Sequence, residues 1–160
     1  MKAFLEDVLG LEGRLITCQP IPARWAPFGQ RNDLNWISVP FDAAQRDQVP
    51  LARGFYCFFV GPPPGALPAV GYPMYLGRTG RTLRTRFGEY LREQDDPGGR
   101  LHVRKFLNVF AGELTFMCTE FNGDDRALAE TERALLNAVM PAYSDSGYSA
   151  ETRAGRGAWQ

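Results

Sequence analysis

Hydrophobic and polar positions follow different periods in different parts of this chain. The densest apolar stretch is GFYCFFV at 54–60, rich in aromatic side chains, and it reads as a strand. Strand alternation puts Tyr56, Phe58 and Val60 on one face and Phe55, Cys57 and Phe59 on the other. Both faces are apolar, so this strand is expected to be covered on both sides. The prolines of the following GPPPGALPAVGYP forbid a regular ladder, and residues 74–77 then pair back as a hairpin with a long connection. Over 80–92 the period becomes helical: Leu83, Phe87 and Leu91 fall at i, i+4 and i+8 and form a buried stripe. The DDPGG run at 95–99 stops that helix. Residues 101–110 read as another helix and ELTFMCTEF at 113–121 as a third strand of the same sheet. Asp124 or Asp125 can cap a last helix running to about Met140, where Pro141 ends it.

The flanks are less patterned. Residues 2–11 can form a short amphipathic helix with Phe4, Val8 and Leu11 along one side, and residues 14–18 and 35–39 read as strands. Residues 23–35 have no clear period, and 40–50 read as a loop or a short helical turn. From Asp145 onward the chain is polar and glycine-rich, expected to be loose, with Trp159 as its one candidate anchor. The order of elements implies an α/β (α+β) fold: a small, mainly antiparallel, three-stranded central sheet flanked by helices. It divides into an N-terminal extension (1–50) packed on the same domain, a motif-bearing domain (51–145) and a tail (146–160).

Composition narrows the class. The chain has 160 residues, 44% hydrophobic and 22% charged, which fits a single soluble globular domain. No apolar run approaches the ~20 residues that span a bilayer, and the acids in MKAFLEDVLG do not suit a signal peptide. Cys18, Cys57 and Cys118 are far apart and in no CxxC spacing, so they read as reduced thiols of a cytoplasmic protein. His102 is the single histidine and reads as a surface or helix-end residue, which leaves zinc without a ligand set. The formal net charge is zero but uneven. Eight Arg or Lys face four acids between Arg78 and Lys105, and the ratio reverses from Phe106 to the end. A basic stretch of this kind either grips a phosphate backbone or forms a solvated face bridged to the acidic half.

A few polar residues stand out against this pattern. Glu132 lies four residues from both Leu128 and Leu136, on the apolar stripe of the last helix. A carboxylate there needs a partner, so Glu132 is either a metal ligand in a cleft or a stripe-edge acid paired with an arginine. Tyr56 and Tyr75 belong to adjacent strands; their hydroxyls converge at one sheet edge, or both are core aromatics. Arg86 and Tyr90 are four apart on the helix that follows directly from the Tyr75 strand.

Together these residues resemble a known motif. GFY at 54–56 and YLG at 75–77 resemble the two halves of the GIY-YIG nuclease motif, and Thr79, Leu83 and Arg86 follow at that family's spacing. Tyr90 falls where members carry histidine or tyrosine. Glu132, with LLNAVMPAY after it, is similar to the family's metal-binding glutamate before a proline segment. The resemblance runs from Gly54 to Ser144, and it departs from the family pattern at Ser144, where asparagine is usual.

The resemblance implies hydrolysis of a DNA phosphodiester with one divalent cation, Mg²⁺ or Mn²⁺. In that scheme Glu132 is the metal ligand, a hard oxygen donor that leaves room for water and phosphate. Arg86 clamps a non-bridging phosphate oxygen. Tyr56 orients or deprotonates the attacking water, a role that needs a nearby cation because a free phenol has a pKa of ~10. Tyr75 and Tyr90 complete the hydrogen-bond set. Arg78, Thr79, Arg81, Arg84 and Ser144 are expected to contact substrate. Arg78 stands where the family often has lysine, and it supplies charge but cannot shuttle a proton. A restriction role would require two cuts, hence a homodimer or sequential nicks. Two other readings stay open: a catalytically impaired nucleic-acid-binding module on the same fold, and a structural or interaction protein whose tyrosines are core.

Overall fold

The alternation of GFYCFFV becomes the centre of the molecule. In the computed structural model, which describes residues 22–29, 31, 33–61, 71–144 and 146–157, this segment is strand β2 (Gly54–Val60). It pairs antiparallel on one side with β3 (Tyr72–Thr79) and on the other with β4 (Leu114–Glu120). A further strand, β1 (Ile37–Pro40), pairs with the far edge of β4, Ile37 opposite Cys118. The sheet therefore has four strands in the order β1-β4-β2-β3, all neighbours antiparallel. The α+β architecture matches the expectation from sequence, but the expected sheet of three strands is corrected to four. The added strand comes from the segment before residue 50. The helix expected over 2–11, the strand over 14–18, Cys18, the middle of the hairpin connection and Trp159 lie outside the described residues.

Each face of β2 has its own helical layer. Tyr56 and Phe58 face α2 (Leu83–Asp95) and α3 (Leu101–Val109), where Leu83, Phe87, Tyr90 and Phe106 are all buried. Phe55 and Cys57 face α4 (Asp125–Val139), through Leu128, Leu135 and Leu136. Full burial of an aromatic or leucine side chain contributes about 1.5–3 kcal/mol, so two apolar faces give this strand a dominant share of the core. Cys57 and Cys118 are free and buried, and burial pushes both thiols up to about 12, which makes them inert.

The helix ends follow local chemistry. Thr82 caps α2 by accepting from Thr85 N at 3.1 Å, so the helix begins at Leu83, three residues later than the glycine that marked its expected start. Its next free amides are taken by the loop before β2: Leu83 N donates to Ala52 O and Arg84 N to Pro50 O. Asp124 caps α4 by accepting from Ala127 N, and Met140 closes it in the left-handed region at φ 49° before Pro141. His102 lies in the first turn of α3. A short 3-10 helix (Ala43–Gln48) follows β1.

Two segments differ from the sequence expectation. Residues 23–35 lack a period, yet Pro22–Gly29 forms α1, pinned where Trp25 Nε1 donates to Ala138 O at 2.7 Å. The tail is not loose throughout: α5 spans Ala150–Gly157, and Thr152 Oγ1 donates to Asn137 Oδ1 at 2.7 Å. Tyr148 is buried and donates to Pro141 O at 3.1 Å. The segment after Pro141 covers the outer edge of β3, with Tyr143 N donating to Met74 O at 2.7 Å. Among the described residues no helix is long and apolar enough to cross a membrane.

Gly54 sits where β2 touches both neighbours, opposite Thr79 and Glu120. A Cβ there would lie 2.0 Å from the backbone oxygen of Thr119, which cannot move without parting β2 from β4. Gly54→Ala should therefore destabilise the fold by about 1–3 kcal/mol, the cost of overpacking a tight site. Urea unfolding measures it, and a loss below about 0.5 kcal/mol would show that the strands give way freely.

Candidate active site

The site is built on the face of the sheet that carries Tyr56. Cross-strand register sets Tyr56 opposite Gly77 and Phe58 opposite Tyr75. Gly77 matters sterically: a Cβ at that position would stand 2.5 Å from the Tyr56 hydroxyl. The phenol thus lies across the gap that the missing side chain leaves. The Tyr56 and Tyr75 rings stack with centroids 6.5 Å apart. α2 then brings Arg86 and Tyr90, one turn apart, over the same spot.

Arg86 joins these groups. Its Nε donates to the Tyr56 hydroxyl at 3.1 Å and its Nη2 to the Tyr90 hydroxyl at 3.1 Å, while the two hydroxyls lie 3.0 Å from each other. The guanidinium also stands 4.5 Å from the centroid of the Tyr90 ring. Both phenols are buried, Tyr56 at 1% exposure and Tyr90 at 0%, whereas the Arg86 side chain keeps 22%. The cation is therefore the part of the cluster that reaches solvent, and the phenols are its seat. Burial alone would lower the Arg86 pKa, but the phenols and Glu89 outweigh it, so Arg86 stays charged.

Burial also decides the state of the phenols. It raises the Tyr56 pKa, and the opposing pull of Arg86 does not reverse the shift. The Tyr90 pKa is raised well above the ordinary phenol value for the same reason. The cation required for a phenolate is present at 3.1 Å, yet desolvation wins. Burial thus favours the neutral form of the Tyr56 hydroxyl, which accepts from Arg86 Nε.

Three residues of this site were not singled out from sequence. Glu89 takes Arg86 Nη1 at 2.9 Å and, from the other side, both terminal nitrogens of Arg81 at 2.7 and 3.0 Å. Arg100 is held by Glu93 through paired contacts at 2.8 Å and reaches the Tyr75 hydroxyl at 3.4 Å. Glu89 was legible in principle, three residues after Arg86 on one helix face. Arg100 and Glu93 meet only because the DDPGG turn folds α3 back against α2, and no local spacing announces that.

The remaining predicted residues are distributed differently. Glu132 comes from α4, on the other helical layer, and its Oε2 accepts from Arg78 Nε at 2.8 Å, with 25% of the Glu132 side chain exposed. Arg78 directly follows Gly77 on β3, so strand alternation puts Arg78 and its partner Glu132 on the sheet face opposite Gly77 and Tyr56. Arg84 is committed elsewhere: it clamps the 3-10 helix through Val49 O at 2.8 Å and Asp47 O at 2.6 Å. Thr79 is buried and accepts from Arg81 N at 3.1 Å, shaping the turn into α2. Ser144 is buried and its hydroxyl accepts from Leu76 N at 3.1 Å, tying the segment after Pro141 to β3. These three side chains fasten the fold around the site.

A metal would have Glu132 as its protein ligand. Among the described residues no three His, Cys, Asp or Glu cluster in a way that could hold a metal. The single, half-buried Glu132 carboxylate beside Arg78 could serve only a cation that takes few protein ligands and completes its shell with water and phosphate. Concavities of about 660 and 680 Å³ lie elsewhere, the first near Arg31, Phe121 and Thr131 and the second near Phe41 and Leu91. No protein-family model, no curated protein and no solved structure matches the chain.

The burial of the phenols has a pH signature. Their folded pKa values lie above the unfolded value of ~10, so the stability they bring is complete below about pH 10 and is lost as pH rises through the folded values. Stability should fall above about pH 10 by about 1.4 kcal/mol per pH unit for each phenol. In Tyr56→Phe the decline should be shallower by one such increment. Urea unfolding at intervals from pH 8 to 11 checks this; parallel curves for the two proteins would refute it.

Proposed function

We propose that this chain is a metal-dependent DNA endonuclease of the GIY-YIG kind. The observation that carries the reading is the Arg86 guanidinium, fixed at 3.1 Å by two buried phenols from the GFY strand and its own helix, 22% exposed and paired through Nη1 with Glu89. A cation held in this way is suited to a phosphate oxygen, because its orientation is set before substrate arrives.

In this reading Arg86 binds a non-bridging oxygen of the scissile phosphate. Tyr56 and Tyr90 are positioning residues, neutral donors and acceptors that keep the guanidinium in one rotamer. Tyr75 and Arg100 pack beside them and supply further polar groups at the rim. Glu132 offers its carboxylate to Mg²⁺ or Mn²⁺ from the other face of the sheet, with Arg78 as its counter-ion. When bound, the metal supplies positive charge to the phosphate and the leaving oxygen. The basic run between Arg78 and Lys105 supports a DNA partner whose binding weakens as salt rises.

The burial of both phenols favours a second reading, in which the same cluster only grips the backbone and the chain is a nucleic-acid-binding module without catalysis. Supercoiled plasmid with Mg²⁺ separates the two. Wild type should convert it to nicked circles. Arg86→Ala should slow nicking by about 100-fold or more, the usual cost of removing a transition-state donor, and Glu132→Ala should fall to background. If wild type and both variants leave the plasmid equally intact while still binding it, the binding module stands and the nuclease does not.

A further inference from the structure

We infer that Glu89 occupies an oxyanion seat between Arg81 and Arg86, and that a backbone phosphate of nucleic acid enters this seat by displacing it. The proposal rests on reading this surface as a phosphodiester site, and it adds a resident counter-ion that the substrate must push aside.

Three nitrogen donors converge on one carboxylate. Arg86 Nη1 lies 2.9 Å from Glu89 Oε2, Arg81 Nη2 lies 3.0 Å from the same oxygen, and Arg81 Nη1 lies 2.7 Å from Oε1. Two guanidiniums facing one planar pair of oxygens form the fork that also takes the O–P–O edge of a phosphate. The two arms differ in rigidity. Arg86 is locked by the phenols, while the Arg81 side chain is 65% exposed and sits before the helix. Glu89 has 22% exposure on the flank of α2, so it has solvent to rotate into.

Charge favours the exchange. With Glu89 in place, two cations and one acid share the seat; once it swings out, both guanidiniums face the incoming anion. Burial acts to raise the Glu89 pKa, but Arg86 and Arg81 hold it below the usual carboxylate range, so the occupant is an anion near neutral pH. The neighbouring pair behaves otherwise. Glu93 has 14% exposure, grips Arg100 through both oxygens at 2.8 Å and also takes Arg100 N at 3.2 Å. That acid is a fixed brace with no such freedom.

Inorganic phosphate, titrated without DNA or metal and followed through the arginine Nε–H signals by NMR, tests the seat. Glu89→Gln keeps the shape and removes the charge. It should bind phosphate about fivefold to tenfold more tightly than wild type, the effect of deleting one like charge at contact distance near a surface. Arg81→Ala in the Glu89→Gln background should return affinity to the wild-type level or below. Equal or weaker binding by Glu89→Gln, or no loss on removing Arg81, would overturn the inference. Should Glu89→Gln fail to fold, Arg81→Ala alone carries the test: weaker phosphate binding than wild type supports the seat, and unchanged binding overturns it. The titration is independent of hydrolysis. Tighter phosphate binding with an intact plasmid leaves the seat and removes the nuclease, and the reverse result does the opposite.

Discussion

The structure around the site depends on one constraint: two phenol hydroxyls are buried in an aromatic core and must be satisfied there. Tyr56 and Tyr90 sit among Phe58, Phe106 and Phe116, with almost no access to water. An unpaired buried hydroxyl costs roughly 1–3 kcal/mol, and these two avoid the cost by bonding each other and by accepting from the same guanidinium. Arg86 in turn has few alternatives, because its Nε and Nη2 are spent on the phenols and its Nη1 on Glu89. A requirement of the core thus fixes the orientation of a surface charge.

The backbone contributes by omission. Gly77 leaves the volume that the Tyr56 ring end fills, and Gly54 lets β4 approach β2 closely enough to bring Phe116 under Tyr56, with their rings stacked at 5.4 Å. The glycines of GFY and YLG are therefore spacers whose role is steric. Thr79, Thr82, Arg84 and Ser144 serve the same geometry from a distance, by setting where α2 begins and by holding the segment after Pro141 on β3.

Much of this was legible in the sequence because it rests on short periods. The alternation of GFYCFFV assigned its side chains to two cores, and the four-residue spacing of Arg86 and Tyr90 placed them on one face. Glu132 was read from its place on the apolar stripe as either a metal ligand or a stripe-edge acid paired with an arginine, and in the structure it pairs with Arg78. The unread features are those that local pattern does not encode. β1 pairs with β4 across about half the length of the chain, α1 carries a proline in an aperiodic stretch, and α5 is held by contacts of Thr152 and Tyr148 against a polar, glycine-rich composition. Arg100 joins the site through a turn. The protonation state of Tyr56 follows from the depth of its burial, which no spacing reveals.

The central claim is that Arg86 and Tyr56 are coupled, the cation being held by a buried neutral phenol. A double-mutant cycle on folding stability at pH 7, with Arg86→Met, Tyr56→Phe and the double variant, measures that coupling directly. A charge-assisted hydrogen bond in a desolvated site should give an interaction energy of about 1–3 kcal/mol. Additivity within about 0.3 kcal/mol would mean that the two side chains are neighbours without being partners, and the account of the site built on them would not stand.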